Sequence, residues 1–303
     1  MKDAIKSLWR NGATPPVAET GRAEYSQGTE GEGAVPSPRE AFRQALRERL
    51  NARMSTVRHK VLVMSGKGGV GKSTVAVNLA LGLARRGKRV GLLDVDVHGP
   101  TVPIMIGLEG ARLGEGENGL LPAEAKGVKV VSIAFILAAD NTPVIWRGPL
   151  KMSMIQQFLG GVDWGELDYL VIDAPPGTGD EPLSIAQLIH DAKALVVTTP
   201  QRVATSDVAK SIVFCQKLKM PLIGVVENMA GLVCPHCGGA VHVFPGGAAE
   251  RMAREMNVPL LASIPIDPTV AEDADGGRGF VGREESPAAQ AMQRVVGAVL
   301  ELK

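Results

Sequence analysis

Short apolar runs alternate with helical patterns along most of this chain, from residue 61 to the end. The runs are continuous rather than interrupted by polar residues, which is typical of strands buried on both faces of a parallel sheet. Their alternation with helices predicts an α/β fold, with a doubly wound, mostly parallel sheet and helices on both faces. The predicted strands are 61–64, 90–93, 128–133, 169–172, 194–199, 222–226 and 261–264.

The N-terminal part of the chain departs from this alternation. Residues 1–36 are rich in Gly, Glu, Pro, Ser and Thr, a composition that predicts a disordered tail. Residues 37–57 predict a basic amphipathic helix. Ser37 and Glu40 have the spacing of a capping box at its start, and the arginines lie mostly off an apolar face formed at helical spacing by Phe42, Ala45, Leu46, Leu50 and Met54. This helix either packs on the main domain with its arginines in solvent, or it contacts a membrane or nucleic acid. We expect residues 58–303 to form one domain.

A phosphate-binding loop follows the first predicted strand. The segment SGKGGVGKST at 65–74 matches the pattern G-x-x-x-x-G-K-[ST] and leads directly into a helical pattern. Its glycines let backbone N–H groups point at an anion, and the helix adds its positive N-terminal end. Lys72 is placed to reach the β- and γ-phosphates of a nucleotide, and Ser73 to bind Mg²⁺. The residues predicted to bind the nucleotide here are Gly66, Lys67, Gly68, Gly69, Val70, Gly71, Lys72, Ser73 and Thr74.

Two further strand ends carry carboxylates. Asp94 and Asp96 follow the second predicted strand at alternating positions, so both side chains can point towards Mg²⁺ or an attacking water. Asp173 ends a later apolar run, which is typical of the acidic partner that holds Mg²⁺ beside a phosphate loop. The Gly and Pro residues behind it, Gly177 among them, indicate a backbone that can approach a γ-phosphate. These features predict a nucleotide and Mg²⁺ at the carboxyl ends of the strands.

The C-x-x-C motif formed by Cys234 and Cys237 is a second chemical centre. Two thiolates in a loop bounded by Gly and Pro can bind one face of a metal centre, but a [4Fe–4S] cluster or a structural zinc needs four ligands. The remaining cysteine, Cys215, lies in a helical pattern and is interpreted as a buried apolar residue. This count favours a symmetric dimer that shares one [4Fe–4S] cluster. Zinc bound with His236 or His242, and a dithiol redox pair, are the alternatives.

Composition and charge argue against several other classes of protein. The 303 residues carry a net charge of +1, so a nucleic-acid or membrane partner would need a local patch, and we expect neither partner. No apolar run approaches the roughly 20 residues that span a bilayer, and the N-terminus lacks the apolar core of a signal peptide. Three cysteines do not make a secreted disulfide framework. We therefore expect a cytoplasmic protein.

Several motifs together resemble one class of P-loop NTPase. They are LDVDVHGPTVP at 93–103, WRGP at 146–149, DWGELDYLVID at 163–173, APPGTGD at 174–180, ENM at 227–229 and CPHCG at 234–238. With them, the phosphate loop and its additional Lys67 resemble the deviant loop of the ParA/MinD-type ATPases. The order of the motifs resembles the Mrp/ApbC family of iron–sulfur cluster carrier ATPases over about residues 55–275. The segment 273–280 matches the closing segment of that family only loosely.

The resemblance implies how the nucleotide site would work. Lys67 would reach across a homodimer to the phosphates on the other subunit, and Asp96 would position the attacking water. Asn228, which we place just beyond the end of the strand 222–226, would bind adenine. The implied activity is a slow ATP hydrolysis that depends on positioning and charge neutralisation. The implied Mg²⁺ ligands are Ser73, Asp94 and Asp173.

The resemblance also implies a cargo. Cys234 and Cys237 of each subunit would share one [4Fe–4S] cluster, which cluster-assembly factors supply and apo iron–sulfur proteins receive. ATP, Mg²⁺ and the [4Fe–4S] cluster are then the expected cofactors of a homodimeric carrier. The main rival is a positioning ATPase of the MinD or ParA kind, which acts on a membrane or DNA and does not need these cysteines. A zinc-stabilised regulatory ATPase is the second alternative.

Overall fold

The computed structural model of the chain describes most residues after the predicted tail. The described residues are 37–96, 99–136, 148–234, 237, 239–241, 243–244, 246–283 and 285–303. The helices are Pro38–Ser55 (α1), Lys72–Arg85 (α2), Val102–Ile106 (α3), Gly148–Gly161 (α4), Asp180–Leu188 (α5), Arg202–Lys217 (α6), Ala248–Glu255 (α7), Pro268–Asp275 (α8) and Pro287–Leu300 (α9), with 3₁₀ turns at Ile133–Phe135 and Phe280–Gly282. The strands are Val57–Ser65 (β1), Val90–Asp94 (β2), Gly114–Gly116 (β3), Gly119–Leu121 (β4), Ala123–Ala125 (β5), Val128–Ser132 (β6), Leu167–Asp173 (β7), Lys193–Thr198 (β8), Leu222–Val233 (β9), Ala240–Val241 (β10) and Leu260–Ile266 (β11).

One nine-stranded sheet organises the described residues. Its strands follow the order β10-β9-β8-β1-β7-β2-β6-β5, and β11 also pairs with β9. Within this sheet the two short edge strands β5 and β10 pair antiparallel, while the long central strands are parallel, so the predicted doubly wound, mostly parallel sheet is confirmed. β1 lies between β7 and β8, so the loop that follows β1 sits where the strand order reverses. Ligands of open α/β sheets bind at such a point.

The predicted strands are all present, and the differences lie at their ends and at the sheet edges. β9 continues to Val233, well past the predicted end at residue 226, because its second half pairs with β10 and β11. The strands β3, β4, β5 and β10 were not predicted. Each has only two or three residues, which is too short for an apolar run or an alternation that would mark a strand.

Helices cover both faces of the sheet. Val61 and Val63 of β1 point into a core that includes α2 and α9, whereas Leu62 and Met64 point into a core that includes α1 and α4. All four side chains are fully buried. Because successive side chains of a strand point to opposite faces, burial on both faces requires the continuous apolar run seen in the sequence.

Helix α1 packs against the sheet domain along one side. Leu50 and Met54 are 2% and 6% exposed, in the same core as Phe158 of α4. Arg53 Nη1 donates to Asp163 Oδ1 at 2.7 Å, which adds an ion pair between the helix and the domain. The exposed arginines of this helix include Arg47 and Arg49. This packing supports the first interpretation of the helix, since its buried apolar residues are not available to an outside surface.

Some predicted features lie outside the described residues. They are the tail at 1–36 and, within the quoted motifs, residues 97–98, 146–147, 235–236 and 238. Among the helices that are described, none combines the length and the apolar character needed to cross a membrane.

Candidate functional site

The loop between β1 and α2 is shaped by close backbone contacts. Ser65 Oγ donates to Lys67 O at 2.9 Å, and α2 begins at Lys72 directly after Gly71. Gly71 has φ 83°, and a Cβ there would lie 2.1 Å from Asn228 Nδ2, so only glycine fits without a shift. No side chain of the described residues caps α2. Its first N–H groups are therefore available to an anion.

Lys72 is buried among carboxylates. The residue is 6% exposed, and its Nζ lies 2.6 Å from Asp173 Oδ1 and 3.6 Å from Asp96 Oδ2. The same Nζ lies 3.3 Å from Ser73 Oγ. A buried ammonium needs such partners, because its desolvation is otherwise uncompensated. Since the lysine side chain is flexible, this ammonium can exchange a carboxylate for a nucleotide phosphate.

Asp94 and Asp173 stand side by side at the carboxyl ends of β2 and β7. They are register partners on adjacent strands, and both are fully buried. Ser132 Oγ donates to Asp94 Oδ2 at 2.8 Å, and the Asp96 N–H donates to Asp94 Oδ1 at 3.1 Å. Burial, followed by the charge of Asp173, raises the pKa of Asp94 to about 8. Burial also raises the pKa of Asp173, against the opposing effect of Lys72.

These carboxylates fit a hard divalent cation such as Mg²⁺. Asp173 Oδ2 is buried and has no hydrogen-bond partner among the described residues. A cation would supply that partner and would favour the charged form of both acids. Among the described residues, no three His, Cys, Asp or Glu side chains form a metal cage of their own. Mg²⁺ suits such a site, because it usually takes one or two carboxylates and completes its shell with water and phosphate.

The loop after β7 lies against the phosphate loop. The Gly177 N–H donates to Ser65 O at 2.8 Å, and Gly177 has φ 93°, a conformation that favours glycine. Asp96, two residues beyond the end of β2, reaches the same cluster through Lys72. The predicted residues that the structure brings together at this edge of the sheet are Lys72, Ser73, Asp94, Asp96, Asp173 and Gly177.

Lys67 lies apart from the buried cluster. Its Nζ donates to Gln201 Oε1, at the start of α6, at 3.3 Å, and both side chains are exposed at this contact. The neighbouring Gly66 packs tightly on the same helix, where a Cβ would lie 2.5 Å from the backbone carbon of Asp207. The loop is therefore seated on α6, with the Lys67 ammonium at the surface.

Asn228 lies inside a strand, and its predicted place beyond a strand end is wrong. The apolar run stops before Glu227, but β9 continues because β10 and β11 supply backbone partners that the local sequence does not reveal. The Asn228 Nδ2 donates to Val70 O at 2.9 Å. The amide therefore touches the phosphate loop directly, at the ligand edge of the sheet.

Cys234 and Cys237 belong to a hairpin at the end of the sheet. β9 and β10 pair antiparallel there, with Val233 opposite Ala240. The Cys234 N–H donates to Gly239 O at 2.9 Å, which holds the base of the hairpin. Cys234 is half-buried and Cys237 is exposed. At least the second thiol is therefore accessible to a metal centre or to another protein.

The third cysteine is part of the core. Cys215 on α6 is 1% exposed, and its Sγ lies 3.8 Å from Met64 Sδ. Burial raises the pKa of this thiol to about 11, so it stays protonated and inert at neutral pH. Its prediction as a buried apolar residue is confirmed. The histidines of the zinc alternative, His236 and His242, lie outside the described residues.

Two buried polar residues at the nucleotide edge were not predicted. Glu227 is 8% exposed, and its Oε2 accepts a hydrogen bond from Ser263 Oγ at 2.7 Å. Glu227 Oε1 and Thr199 Oγ1 are buried and have no partner among the described residues. A signal for Glu227 does exist in the sequence, because it follows an apolar run directly, as Asp94 and Asp173 do.

Comparison with known proteins places these features in a family. The family model for ParA, described as NUBPL iron-transfer P-loop NTPase, matches residues 56–300. The chain is 47% identical to the iron-sulfur cluster carrier protein of Methanocaldococcus jannaschii, over 84% of this chain and 88% of that protein. It is 43% identical to the cytosolic Fe-S cluster assembly factor NUBP2 of Bos taurus, over 82% of this chain and 94% of that protein.

Solved structures agree with the sequence relatives. The nucleotide-binding protein from Archaeoglobus fulgidus in complex with ADP is similar with a TM-score of 0.69 and 41% identity, over 77% of this chain and 91% of that chain. The cell division ATPase MinD of Pyrococcus furiosus is similar with a TM-score of 0.60 and 26% identity, over 81% of this chain and 99% of that chain.

Proposed function

The chain belongs to the ParA family of NUBPL-type iron-transfer P-loop NTPases, and from that premise we propose that it is an Mrp/ApbC-type iron–sulfur cluster carrier ATPase. It binds and hydrolyses ATP with Mg²⁺, and it holds a [4Fe–4S] cluster as cargo at a homodimer interface. It receives this cluster from assembly factors and passes it to apo iron–sulfur proteins. The descriptions of its relatives as an iron-sulfur cluster carrier and an Fe-S cluster assembly factor support this cargo.

One observation carries the proposal: a buried phosphate-loop centre and an accessible C-x-x-C hairpin occur in the same domain. The buried centre alone would suit any nucleotide-hydrolysing protein of this fold. The thiols of Cys234 and Cys237 add soft ligands at the surface, which suit iron–sulfur chemistry. A cargo that is received and released needs ligands that another protein can reach.

In the nucleotide centre each polar side chain has a proposed task. Lys72 would leave Asp173 and bind the β- and γ-phosphates, where its charge stabilises the transferring phosphoryl group. Ser73, Asp94 and Asp173 would hold Mg²⁺, which neutralises phosphate charge when it is bound. Asp96 would position the attacking water, since it lies 3.6 Å from the same ammonium. The remaining proposed contacts are the Gly177 backbone to the γ-phosphate and Asn228 to adenine.

A two-fold dimer would complete both sites. A [4Fe–4S] cluster needs four ligands, and each subunit offers two thiols, the half-buried Cys234 and the exposed Cys237. A two-fold axis supplies the second pair without another ligand type. Lys67, with its ammonium at the surface, would cross the same axis to the phosphates of the other subunit.

The proposed setting follows from the chemistry of the thiols and from overall charge. We place the carrier in the cytoplasm, where thiols remain reduced, and the relative from Bos taurus is described as cytosolic. The proposal includes no nucleic-acid or membrane partner, because the net charge of +1 gives no general attraction to polyanions.

Anaerobic reconstitution tests the cargo. We expect about four iron and four sulfide per dimer in the wild-type protein, bound through the hairpin thiols. The double variant Cys234→Ala with Cys237→Ala should lose this complement, while Cys215→Ala should keep it because that thiol is buried. Iron and sulfide analysis with an absorption spectrum measures both. A normal complement in the double variant, or zinc in place of iron in anaerobically purified wild type, would contradict the proposal.

A further inference from the structure

A single strand connects the phosphate loop to the cysteine hairpin. β9 passes the phosphate loop at Asn228, whose Nδ2 donates to Val70 O at 2.9 Å, and Cys234 follows its last residue directly. The chain between Asn228 and Cys234 covers about 20 Å in extended form. A displacement of β9 at Asn228 is therefore transmitted along the chain to the first cysteine, unless an intermediate residue absorbs it.

The half of β9 that precedes Asn228 is firmly held. Up to Glu227 it pairs with β8, where Thr198 is the register partner of Glu227. On the other edge, Glu227 Oε2 accepts a hydrogen bond from Ser263 Oγ of β11 at 2.7 Å. With partners on both edges, this half cannot follow a movement of the phosphate loop. A displacement at Asn228 is thus directed towards the hairpin.

The half of β9 that follows Asn228 is irregular. Met229 has φ 59°, a left-handed conformation that non-glycine residues seldom adopt and that strains the backbone. Asn228 pairs with Ile264 of β11 and Leu232 pairs with Ile266, so β9 contains extra residues over this interval and bulges. Bulges bend a strand and aim the residues that follow. Met229 therefore fixes the direction in which β9 leaves the phosphate loop.

Beyond this bulge the strand and the hairpin are joined. Val233 pairs with Ala240 of β10, and the Cys234 N–H donates to Gly239 O at 2.9 Å. β8 no longer pairs with β9 after Glu227. Outside the hairpin, the end of β9 keeps one pairing with β11, between Leu232 and Ile266. The hairpin therefore follows the end of β9 and its partner β11 rather than β8, and a change of direction at Met229 moves both thiols.

We propose that the Asn228–Met229 segment passes the state of the nucleotide site to the thiols of Cys234 and Cys237. A nucleotide that reorders the phosphate loop, or engages the Asn228 amide, exchanges the contact with Val70 O. β9 then leaves the loop in a different direction, and the thiols change their exposure. This regulation rests on the proposed function, because it links the nucleotide site to the two thiols that are proposed to hold the cluster. Coupling between two binding sites is reciprocal. The factor by which a nucleotide changes the affinity of the thiols for a metal is therefore the factor by which that metal changes the affinity for the nucleotide.

The rate at which the two thiols react with DTNB measures the coupling. The protein is the full chain, reduced and free of metal, with and without saturating ADP, whose binding is measured separately. We expect ADP to change the rate by about fivefold, the lower end of typical allosteric coupling. Cys215 does not interfere, because it is 1% exposed.

Met229→Gly is the decisive variant. Glycine removes the left-handed restraint, so β9 can absorb a displacement at Asn228 without moving the hairpin. We expect ADP to bind with nearly unchanged affinity and the rate to lose its dependence on ADP. Met229→Asn should keep the dependence, since asparagine tolerates this conformation. Lys219→Gly is the matched control, because Lys219 also has a left-handed φ, 55°, and precedes β9 on the side away from the hairpin.

A second variant covers the contact itself. Asn228→Ala removes the hydrogen bond to Val70 O. With ADP at saturation, its DTNB rate should therefore also lose the dependence on ADP. The inference is overturned if bound ADP does not change the DTNB rate of the wild-type protein. It is also overturned if Met229→Gly and Asn228→Ala keep the wild-type ratio of the rates with and without ADP. The assay needs no cluster, so a failed reconstitution with an intact ADP effect would reject the cargo and keep the coupling.

Discussion

Lys72 and Asp173 at the nucleotide edge are 6% and 0% exposed, whereas Cys237 in the hairpin is exposed and Cys234 is half-buried. The nucleotide edge is assembled from β1, β2 and β7, three adjacent strands in the middle of the sheet. The hairpin instead depends on the end of β9 and the two-residue strand β10. The nucleotide edge is thus held by three neighbouring strands, whereas the hairpin is held mainly by the end of one strand.

The difference matches the task proposed for each centre. Phosphoryl transfer is accelerated by charges that are already in position and shielded from water, as Lys72 is between Asp173 and Asp96. The proposed cargo ligands would have to be reached by donor and recipient proteins, so burial would block that use. The buried centre carries a cost, because Asp94 and Asp173 are crowded carboxylates whose repulsion the proposed Mg²⁺ would relieve.

The largest effect is expected for Lys72→Ala. Removing this ammonium leaves phosphate charge uncompensated in a buried site, so we expect Mg·ATP affinity to fall by about 100-fold, or roughly 2.7 kcal/mol. Calorimetric titration measures it. Cluster content after reconstitution should stay unchanged, because Cys234 and Cys237 do not contact this lysine in the described structure.

Lys60→Ala is the matched control for that variant. Lys60 is also a buried lysine, 5% exposed, with its Nζ 2.6 Å from Asp191 Oδ2. Its loss should lower the free energy of unfolding but leave ATP affinity within about twofold, since the site lies elsewhere. Similar losses of ATP affinity in both variants would mean that Lys72 acts through stability, and the contrast between the two centres would fail.

An intermediate effect is expected when serine replaces cysteine in the two regions. Cys215→Ser buries a hydroxyl in an apolar core, so the free energy of unfolding should fall by about 1–3 kcal/mol. Cys237→Ser at the exposed hairpin should change it by no more than about 0.5 kcal/mol. Urea unfolding of the metal-free protein measures both. An equal loss at Cys237 would show that the hairpin is part of the cooperative core.

The nucleotide centre could be predicted from the sequence because its information is local. The phosphate loop fixes its own shape through glycines such as Gly71, and Asp94 and Asp173 each end a continuous apolar run. Parallel strands bring their carboxyl ends to one edge, so these local signals converge without knowledge of the pairing. The ion pair between Lys72 and Asp173 then joins residues 101 positions apart.

The course of β9 could not be predicted in the same way. Its extension past Glu227 depends on backbone pairing with β10 and β11. The part of β9 that makes these pairs has no strand pattern in its own sequence. The left-handed Met229 gives no signal either, because nothing in a methionine indicates a positive φ. The contact of Lys67 with Gln201 likewise depends on how α6 is placed beside the loop. Tertiary partners, rather than local preference, decide these features.

The smallest effect is a pH dependence that arises at the nucleotide edge. The pKa of Asp94 is about 8 in the folded protein, above its unfolded value of about 3.9, chiefly because the carboxyl is buried and then because Asp173 is adjacent. Between these values the folded state binds more protons, so the free energy of unfolding decreases as pH rises from about 4 towards 8. Without nucleotide and in EDTA, Asp94→Asn should remove most of this decrease, which for a single proton has a slope of at most about 1.4 kcal/mol per pH unit.

Asp273 provides the internal reference for that measurement. Hydrogen bonds from Arg283 and then Arg278 lower the pKa of Asp273, so its contribution is present above its unfolded pKa and is lost as the pH falls through its lower folded value. In Asp94→Asn the free energy of unfolding should therefore still fall at acid pH, whereas Asp273→Asn should remove that fall. Urea unfolding at a series of pH values separates the two. If Asp94→Asn left the decline towards pH 8 unchanged, the crowded carboxylates would not be its source, and the nucleotide centre would be no more strained than the hairpin.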